Sequence, residues 1–198
     1  MNRRLLYVTL GIVLVFVGAA IYEFTKPATL YGSHIEPPKP MPDFTLQAVD
    51  GPLTLSSFRG KYVVLYFGYT SCPDICPTIS AALKAALGRL GDQQAQVQVV
   101  FVSVDHKRDT PAKVASYIHN FSPDFVGLTG TKSEIDQVTR EFGIYYQLND
   151  PDSGIGSYLV DHTATILLLD RQGALVMTWA YGQQPDEIAS DLKTLMRK

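Results

Sequence analysis

The stretch "GKYVVLYFGYTSCPDICPT", residues 60–78, contains the two cysteines of the chain, Cys72 and Cys76. Its first part, Tyr62 to Phe67, is apolar and rich in aromatic and β-branched side chains, which is typical of a strand buried in the centre of a sheet. The proline after Cys76 suits the first turn of a helix, and apolar residues recur beyond it at helical spacing. A second buried strand is predicted over Val97 to Val104. The order strand, helix, strand indicates a parallel βαβ unit that carries the cysteines in its first loop.

The segments outside this unit predict a single α/β domain. Alternating apolar residues on either side of Asp50-Gly51 predict a β-hairpin ahead of the βαβ unit. A second antiparallel hairpin is predicted from Thr163 to Ala180. Helix starts are marked by a capping residue or by a proline in the first turn, at Thr110-Pro111, at Thr131 with Glu134, and at Pro185. We therefore predict a thioredoxin-like fold, a mixed sheet flanked by helices, with an N-terminal β-hairpin extension.

The N-terminal residues predict a membrane anchor. Residues Leu5 to Tyr22 are uncharged and long enough for one membrane-spanning helix, and the two arginines before them place the N-terminus in the cytoplasm. A cleaved signal peptide is the alternative, although the apolar stretch exceeds the usual length of one. We predict three parts: a cytoplasmic tip and transmembrane anchor over residues 1–22, a proline-rich tether over 23–42, and the thioredoxin-like domain over 43–198.

The chain lacks the arginine- and serine-rich amphipathic presequence of an organelle-imported precursor ahead of this apolar stretch. We therefore expect a single-pass protein of a bacterial inner membrane whose C-terminal domain lies in the periplasm, where thiols meet an oxidising environment. The formal net charge is −2, and there is no basic run along the chain. Nucleic acid is accordingly not expected as a partner.

Cys72 and Cys76 fit three kinds of site. A structural disulfide across so short a loop would remove little chain entropy, which disfavours the first kind. A redox pair of the thioredoxin type has two residues between its cysteines, whereas three separate this pair. A peroxiredoxin-type enzyme is disfavoured because Tyr69 and Leu65 stand where that class has a hydroxyl residue and a proline. The third kind is a metal site, which needs a further ligand from elsewhere in the chain.

His162 is the candidate for that further ligand. It leads into the predicted strand from Thr163, and in a thioredoxin-like fold the residues at this point lie against the cysteine loop. Two thiolates and one imidazole form a soft donor set that favours copper, with zinc as the competing metal. A disulfide between Cys72 and Cys76 would remove two of the three ligands, so metal binding and redox state would be linked. We also expect a lowered pKa for Cys76, because it adjoins the N-cap of a helix whose dipole favours a thiolate.

Several stretches of the sequence resemble the Sco (SenC/PrrC) family, which comprises membrane-anchored copper proteins of thioredoxin-like fold that take part in the assembly of cytochrome c oxidase. The matching stretches are "DFTLQAVDG", "GKYVVLYFGYTSCPDICPT", "VFVSVD" with "RDTP", "FVGLTGT" and "YLVDHTATILLLD". The resemblance implies that Cys72 and Cys76 are thiolate ligands and His162 the imidazole ligand of one copper ion per chain, as Cu(I) or Cu(II).

The resemblance further implies a metallochaperone that assists copper insertion into the binuclear copper site of cytochrome c oxidase. It leaves open a second role, a thiol-disulfide oxidoreductase in which Cys72 and Cys76 reduce the cysteines of that copper site. The expected partners are the copper-site subunit of the oxidase, the membrane, and periplasmic copper chaperones or thiol reductants. One departure is His106, where the family usually has proline. We expect a solvent-exposed loop histidine there, with an auxiliary copper ligand as the alternative.

Overall fold

The structure, a computed structural model, describes residue 7 and residues 11–18, 29–149 and 158–197. Beyond the helical residues 11–18, the helices are α1 (Ile75–Gly88), α2 (Pro111–His119), α3 (Lys132–Phe142) and α4 (Pro185–Met196). The strands are β1 (Ser33–Pro40), β2 (Thr45–Ala48), β3 (Gly51–Thr54), β4 (Tyr62–Gly68), β5 (Val97–Ser103), β6 (Val126–Leu128), β7 (Tyr146–Leu148), β8 (Val160–His162), β9 (Ile166–Leu169) and β10 (Ala174–Trp179). Short 3-10 helices cover Leu55–Phe58 and Gly91–Gln96.

Six of these strands form one mixed sheet in the order β1-β10-β9-β4-β5-β6. Strand β5 pairs in parallel with β4 and with β6, whereas the contacts from β1 through β10 and β9 to β4 are antiparallel. Helix α1 connects β4 to β5, so the predicted βαβ unit is confirmed. The thioredoxin-like α/β fold with its mixed sheet is confirmed with it, and the predicted N-terminal hairpin is formed by β2 and β3.

The core lies on both faces of the sheet. Helices α1, α2 and α4 bury apolar side chains on the face that holds Tyr66, while α3 and the β2–β3 hairpin cover the face that holds Leu65 and Phe67. Because side chains alternate across a strand, only a strand covered on both sides buries every residue from Val63 to Phe67. This explains the uninterrupted apolar run of β4, and it fixes the end of β4 as a rigid starting point for the cysteine loop.

Two of the predicted helix starts are confirmed in atomic detail. The side chain of Thr110 accepts a hydrogen bond from the backbone N–H of Lys113, and a proline occupies the first turn of α2. Thr131 and Glu134 form a capping box at the start of α3. These bonds satisfy backbone N–H groups that have no partner within the helix, so local sequence alone fixes where both helices begin.

The proline-rich segment differs from the prediction. Residues 33–40, which the composition assigned to an unpacked tether, form β1 and pair with β10 at the edge of the six-stranded sheet. The pairing shifts register between His34 and Lys39, where Pro37 and Pro38 interrupt the regular ladder. Proline is tolerated in an edge strand, because an N–H that faces away from the sheet needs no partner strand. Composition was therefore a poor guide to whether this segment packs.

The predicted anchor over Leu5 to Tyr22 lies mostly outside the described residues, which include only residue 7 and residues 11–18 of it. Within the described ranges, no helix combines the length and the apolar character needed to cross a bilayer.

Candidate metal centre

The cysteine loop connects the end of β4 to the start of α1. Cys72 lies in this loop and is half-buried, whereas Cys76 is the second residue of α1, after the N-cap residue Asp74, and is fully buried. Gly68 ends β4 directly beneath Cys76. A Cβ atom at Gly68 would lie 2.6 Å from the Cys76 sulfur, so only glycine lets the strand approach the cysteine this closely.

His162 reaches the cysteines from a different part of the chain. The sequence predicted that it leads directly into a long strand, but it is the last residue of the short strand β8, which pairs with β7 so that His162 lies opposite Tyr146. The long hairpin begins only at Ile166, beside Tyr66 of β4. This separate two-stranded unit places the imidazole over the cysteine loop.

The structure brings the three predicted ligands together. The sulfur atoms of Cys72 and Cys76 and a ring nitrogen of His162 all lie within 4.8 Å of one another. The Cys76 sulfur is 3.6 Å from Nε2 of His162, and the backbone N–H of Cys76 lies 3.4 Å from the Cys72 sulfur. Nδ1 of His162 is 3.1 Å from the carbonyl oxygen of Thr163. A carbonyl oxygen only accepts, so Nδ1 carries a proton, and Nε2 is the nitrogen that faces the sulfurs.

The two thiols differ in acidity, in the opposite sense to the prediction. The pKa of Cys72 is lowered to about 3, first because the Cys76 thiol donates a hydrogen bond to its sulfur, and then through a hydrogen bond with the His162 ring and the backbone N–H groups of Cys76 and Asp74. The pKa of Cys76 is raised, because its proton is held by Cys72 and because the group is buried. The expectation of a lowered pKa for Cys76 is therefore wrong: burial and the neighbouring thiolate outweigh the helix dipole. The half-buried Cys72 is therefore the more acidic of the two thiols.

A buried carboxylate holds the first residues of the cysteine loop. Asp109 accepts hydrogen bonds from the backbone N–H and the hydroxyl of Thr70, at 2.8 and 2.6 Å, and from the hydroxyl of Ser103 at 2.6 Å. Lys113 donates at 2.9 Å to Oδ1, the oxygen that also accepts from the Thr70 hydroxyl. The sequence analysis used this region for the helix start at Pro111 and for the family resemblance, and it did not assign a role to Asp109. The missed signal was an aspartate in the loop after a buried strand, directly before the helix cap Thr110.

A second cluster of polar side chains connects the loop after β5 to the segment that leads into β8. The guanidinium of Arg108 pairs with the buried Asp105, donates to the carbonyl oxygen of Tyr158, and stacks 3.5 Å from the centre of the Tyr158 ring. The Tyr158 hydroxyl donates to Asp105 at 2.6 Å. The ring of Tyr69, which follows β4, lies edge-on to His162 with the ring centres 5.9 Å apart. These contacts hold the histidine segment against the loop after β5 and against Tyr69, and no local sequence pattern indicated that role.

His106 does not join the candidate ligands. The three-residue cluster that could hold a metal within the described ranges contains only Cys72, Cys76 and His162. His106 is half-buried, and its Nδ1 is buried without a hydrogen-bond partner among the described residues. The expectation of a solvent-exposed loop histidine is therefore wrong, because the loop after β5 packs this ring against the domain.

The candidate site opens to the surface through a depression of about 350 Å³. Its lining includes Cys72, Asp74, Leu159, Asp161 and His162. Two sulfur donors and one imidazole nitrogen, with an open side, can bind a soft or borderline metal ion in three-coordinate form and still admit a ligand from another molecule. The same two sulfurs lie close enough to exchange with a disulfide.

Comparisons with known proteins agree with this geometry. The model of the SCO1/SenC family matches residues 33–197 of the chain. Among curated proteins, the SCO2-like protein of Rickettsia felis is 34% identical over 152 residues, which cover 76% of this chain and 74% of that protein.

Solved structures show the same fold. The solution structures of apo Sco1 from Thermus thermophilus superpose with a TM-score of 0.78 at 41% identity, covering 86% of this chain and 99% of that one. The crystal structure of Arabidopsis thaliana ScoI with copper bound gives a TM-score of 0.73 at 33% identity, covering 79% and 98%. BsSco, described as a member of the Sco family of cytochrome c oxidase assembly proteins, is 24% identical and shares the fold with a TM-score of 0.63, covering 82% and 96%.

Proposed function

Because the chain belongs to the SCO1/SenC family, we propose that it binds one copper ion and assists copper insertion into the binuclear copper site of cytochrome c oxidase. The observation that carries the proposal is the convergence of Cys72, Cys76 and His162, whose ligand atoms lie within 4.8 Å of one another. Support also comes from the copper-bound relative of Arabidopsis thaliana and from the description of BsSco.

The donor set fits copper chemically. Cys72 offers a thiolate before any metal arrives, and Nε2 of His162 faces the sulfurs while Nδ1 is held by a carbonyl. Cys76 keeps its proton in the metal-free protein, so copper binding at all three groups releases that proton. Soft thiolates favour Cu(I), which accepts three-coordination, and the ordering of metal affinities places copper above zinc for the same ligands.

Burial of the ligands supports transfer of copper to another protein. Cys76 is fully buried, whereas Cys72 and His162 are half-buried and line the open depression. An acceptor can therefore approach the metal from the side of Cys72 and His162, while Cys76 stays within the domain. The copper ion is here the cargo of the protein.

A second candidate function is supported by the acidity of Cys72. A half-exposed thiolate beside a protonated, buried thiol is the arrangement of an attacking and a resolving cysteine. Cys72 would attack a disulfide of the oxidase copper site, and Cys76 would then release the target as two thiols, leaving a Cys72–Cys76 disulfide. A thiol reductant of the same compartment would restore the pair.

The cellular setting belongs to the same proposal. We infer an anchor over residues 1–22 in a bacterial inner membrane, with the thioredoxin-like domain, which begins at Tyr31 and includes β1, in the periplasm and residues 23–30 as the connection between them. Support comes from the uncharged stretch Leu5 to Tyr22, which follows two arginines. Copper chaperones, thiol reductants and the oxidase subunit would meet the domain in that compartment.

His162→Ala provides the decisive test. In this variant copper should bind roughly 100-fold more weakly, because one of three ligands is removed, while both thiols remain titratable after reduction. His119→Ala is the matched control, since His119 is exposed on α2. Unchanged copper affinity of His162→Ala in an anaerobic Cu(I) titration would overturn the metal site. If that variant also reduced a disulfide peptide at the native rate, thiol-disulfide exchange by Cys72 and Cys76 would replace copper insertion as the proposed function.

A further inference from the structure

The chain enters the domain at the end of the sheet where β4 finishes and the candidate metal site lies. We call this end of the sheet the metal-bearing edge. Ser33, the first residue of β1, pairs with Thr178 of β10. Thr178 pairs with Leu167 of β9, and Leu167 pairs with Leu65 of β4. One row across the sheet thus connects Ser33 to a residue three positions before Gly68. Because β1 runs antiparallel to β4, the residues before Ser33 lie level with the end of β4, where the cysteine loop begins.

A buried carboxylate fixes the direction of the chain at this point, through a set of hydrogen bonds that we call the N-terminal latch. The carboxylate of Asp191 in α4 accepts hydrogen bonds of 2.9 Å from the backbone N–H groups of Tyr31 and Gly32 and from the indole N–H of Trp179. Asp191 and Trp179 are both fully buried. A Cβ atom at Gly32 would lie 2.7 Å from the Trp179 ring, so the chain packs tightly against the indole. Tyr31 and Gly32 are therefore part of the folded domain.

The latch limits how far the metal-bearing edge can lie from an anchored N-terminus. Residues 23–30 alone separate the apolar stretch from Tyr31, and eight residues span at most about 29 Å when fully extended. Three strand spacings separate β1 from β4, which places the cysteine loop about 14 Å to the side of the point where the chain enters. The opposite end of the sheet lies farther from the anchor by the length of the strands.

Exposed aromatic and apolar side chains lie at this same edge. Tyr31 precedes β1, and Tyr181 follows the end of β10. Tyr145 precedes β7, and its carbonyl oxygen accepts from the backbone N–H of Thr163. Leu159 lines the depression that contains the candidate ligands. Tyrosine is enriched at membrane interfaces, where its ring meets the acyl boundary and its hydroxyl meets water.

We propose that the metal-bearing edge of the domain faces the membrane surface, with Tyr31, Tyr145, Leu159 and Tyr181 at the lipid interface. The inference rests on the anchorage in the proposed function and adds the orientation of the site. The exposed carboxylates of Asp74 and Asp161 lie in the same depression, which keeps the contact at headgroup depth, because a carboxylate is strongly disfavoured in the acyl region. An acceptor would then present its copper site close to the membrane.

The test uses the full chain in phosphatidylcholine vesicles that contain a headgroup spin-labelled lipid. In a Cys72→Ser/Cys76→Ser background, a fluorophore is attached through Thr78→Cys, at the metal-bearing edge, or through Gln94→Cys, at the opposite end of the sheet. Both positions are exposed. The spin label should quench the fluorophore of Thr78→Cys severalfold more strongly than that of Gln94→Cys. Adding Tyr31→Ser and Tyr181→Ser should weaken the quenching of Thr78→Cys.

The outcomes separate the orientation from the anchorage. Flotation of the chain with the vesicles reports the anchor, so a chain that does not float refutes the proposed anchorage and the orientation with it. A chain that floats while both fluorophores are quenched equally, or Gln94→Cys more strongly, overturns the orientation alone. Unequal quenching that the two tyrosine substitutions leave unchanged overturns the lipid contact, and it would assign the exposed aromatic residues to a protein partner.

Discussion

Two buried aspartates hold the two ends of the metal-bearing edge, and they do so with different partners. Asp109 forms the cysteine-loop clamp with Thr70, Ser103 and Lys113. Asp191 forms the N-terminal latch described above, with the amides before β1 and the indole of Trp179. Both carboxylates accept hydrogen bonds from backbone N–H groups of a segment that is distant in sequence. The clamp supports the half-exposed metal site, whereas the latch joins the residues before β1 to the buried side chains of Asp191 and Trp179.

The difference lies in the charge and exposure of the donors. The clamp includes a cation, Lys113, whose side chain is 43% exposed, so solvent reaches one side of the ion pair. The donors of the latch are two amides and an indole, all neutral, around a carboxylate that is fully buried. A buried donor that loses its acceptor destabilises the fold more than one that water can reach. We therefore expect the latch to govern stability and the clamp to govern the metal site.

The largest effect is expected for Asp191→Ala. The buried indole N–H of Trp179 and the partly buried N–H groups of Tyr31 and Gly32 lose their acceptor together, which should lower the free energy of unfolding by about 4 kcal/mol. Urea unfolding of the metal-free protein measures this loss. Asp186→Ala, on the exposed side of the same helix, is the control and should be close to wild type. Folded Asp191→Ala protein should bind copper with native affinity. Weaker copper binding by the folded variant would show that the latch, like the clamp, supports the metal site.

A smaller effect on stability, with a distinct effect on copper, is expected for Asp109→Asn. The amide cannot accept all four donors, so the free energy of unfolding should fall by about 2 kcal/mol. Copper affinity should fall about tenfold, because the loop that presents Cys72 is no longer fixed. Urea unfolding and anaerobic Cu(I) titration measure the two effects, with the exposed Asp124→Asn as control. Native copper affinity in this variant would show that the cysteine loop keeps its shape without the clamp.

The smallest effect is expected for Lys113→Gln. The ion pair with Asp109 is partly exposed and the carboxylate keeps its bonds to Thr70 and Ser103, so the free energy of unfolding should fall by about 1 kcal/mol or less. Lys132→Gln is the matched control, because it removes an i,i+4 pair with Asp136 on the more exposed surface of α3. A loss for Lys113→Gln as large as that for Asp109→Asn would mean that the cation, and not the hydrogen bonds, holds the clamp together.

Local signals predicted most of the fold. The βαβ unit, the first hairpin and the caps at Thr110 and Thr131 depend on neighbours within a few residues, and all of them are confirmed. The packing of residues 33–40 was missed, because proline content reports backbone restriction and carries no information on whether an edge strand is available. The start of the long hairpin was predicted at Thr163, but β9 begins at Ile166, because the preceding strand β8 ends at His162 and pairs with β7.

The sequence by itself determined which groups could bind a metal: two thiols, three residues apart in the loop before a helix, and an imidazole before a strand. Tertiary structure alone decided how those groups behave. Cys76 and His162 meet across 86 positions, Thr70 and Asp109 across 39, and Gly32 and Asp191 across 159. The acidity of Cys72, the support beneath its loop and the direction from which the chain enters all depend on such contacts. Burial and hydrogen bonding between distant segments set these properties, and no local pattern encodes them.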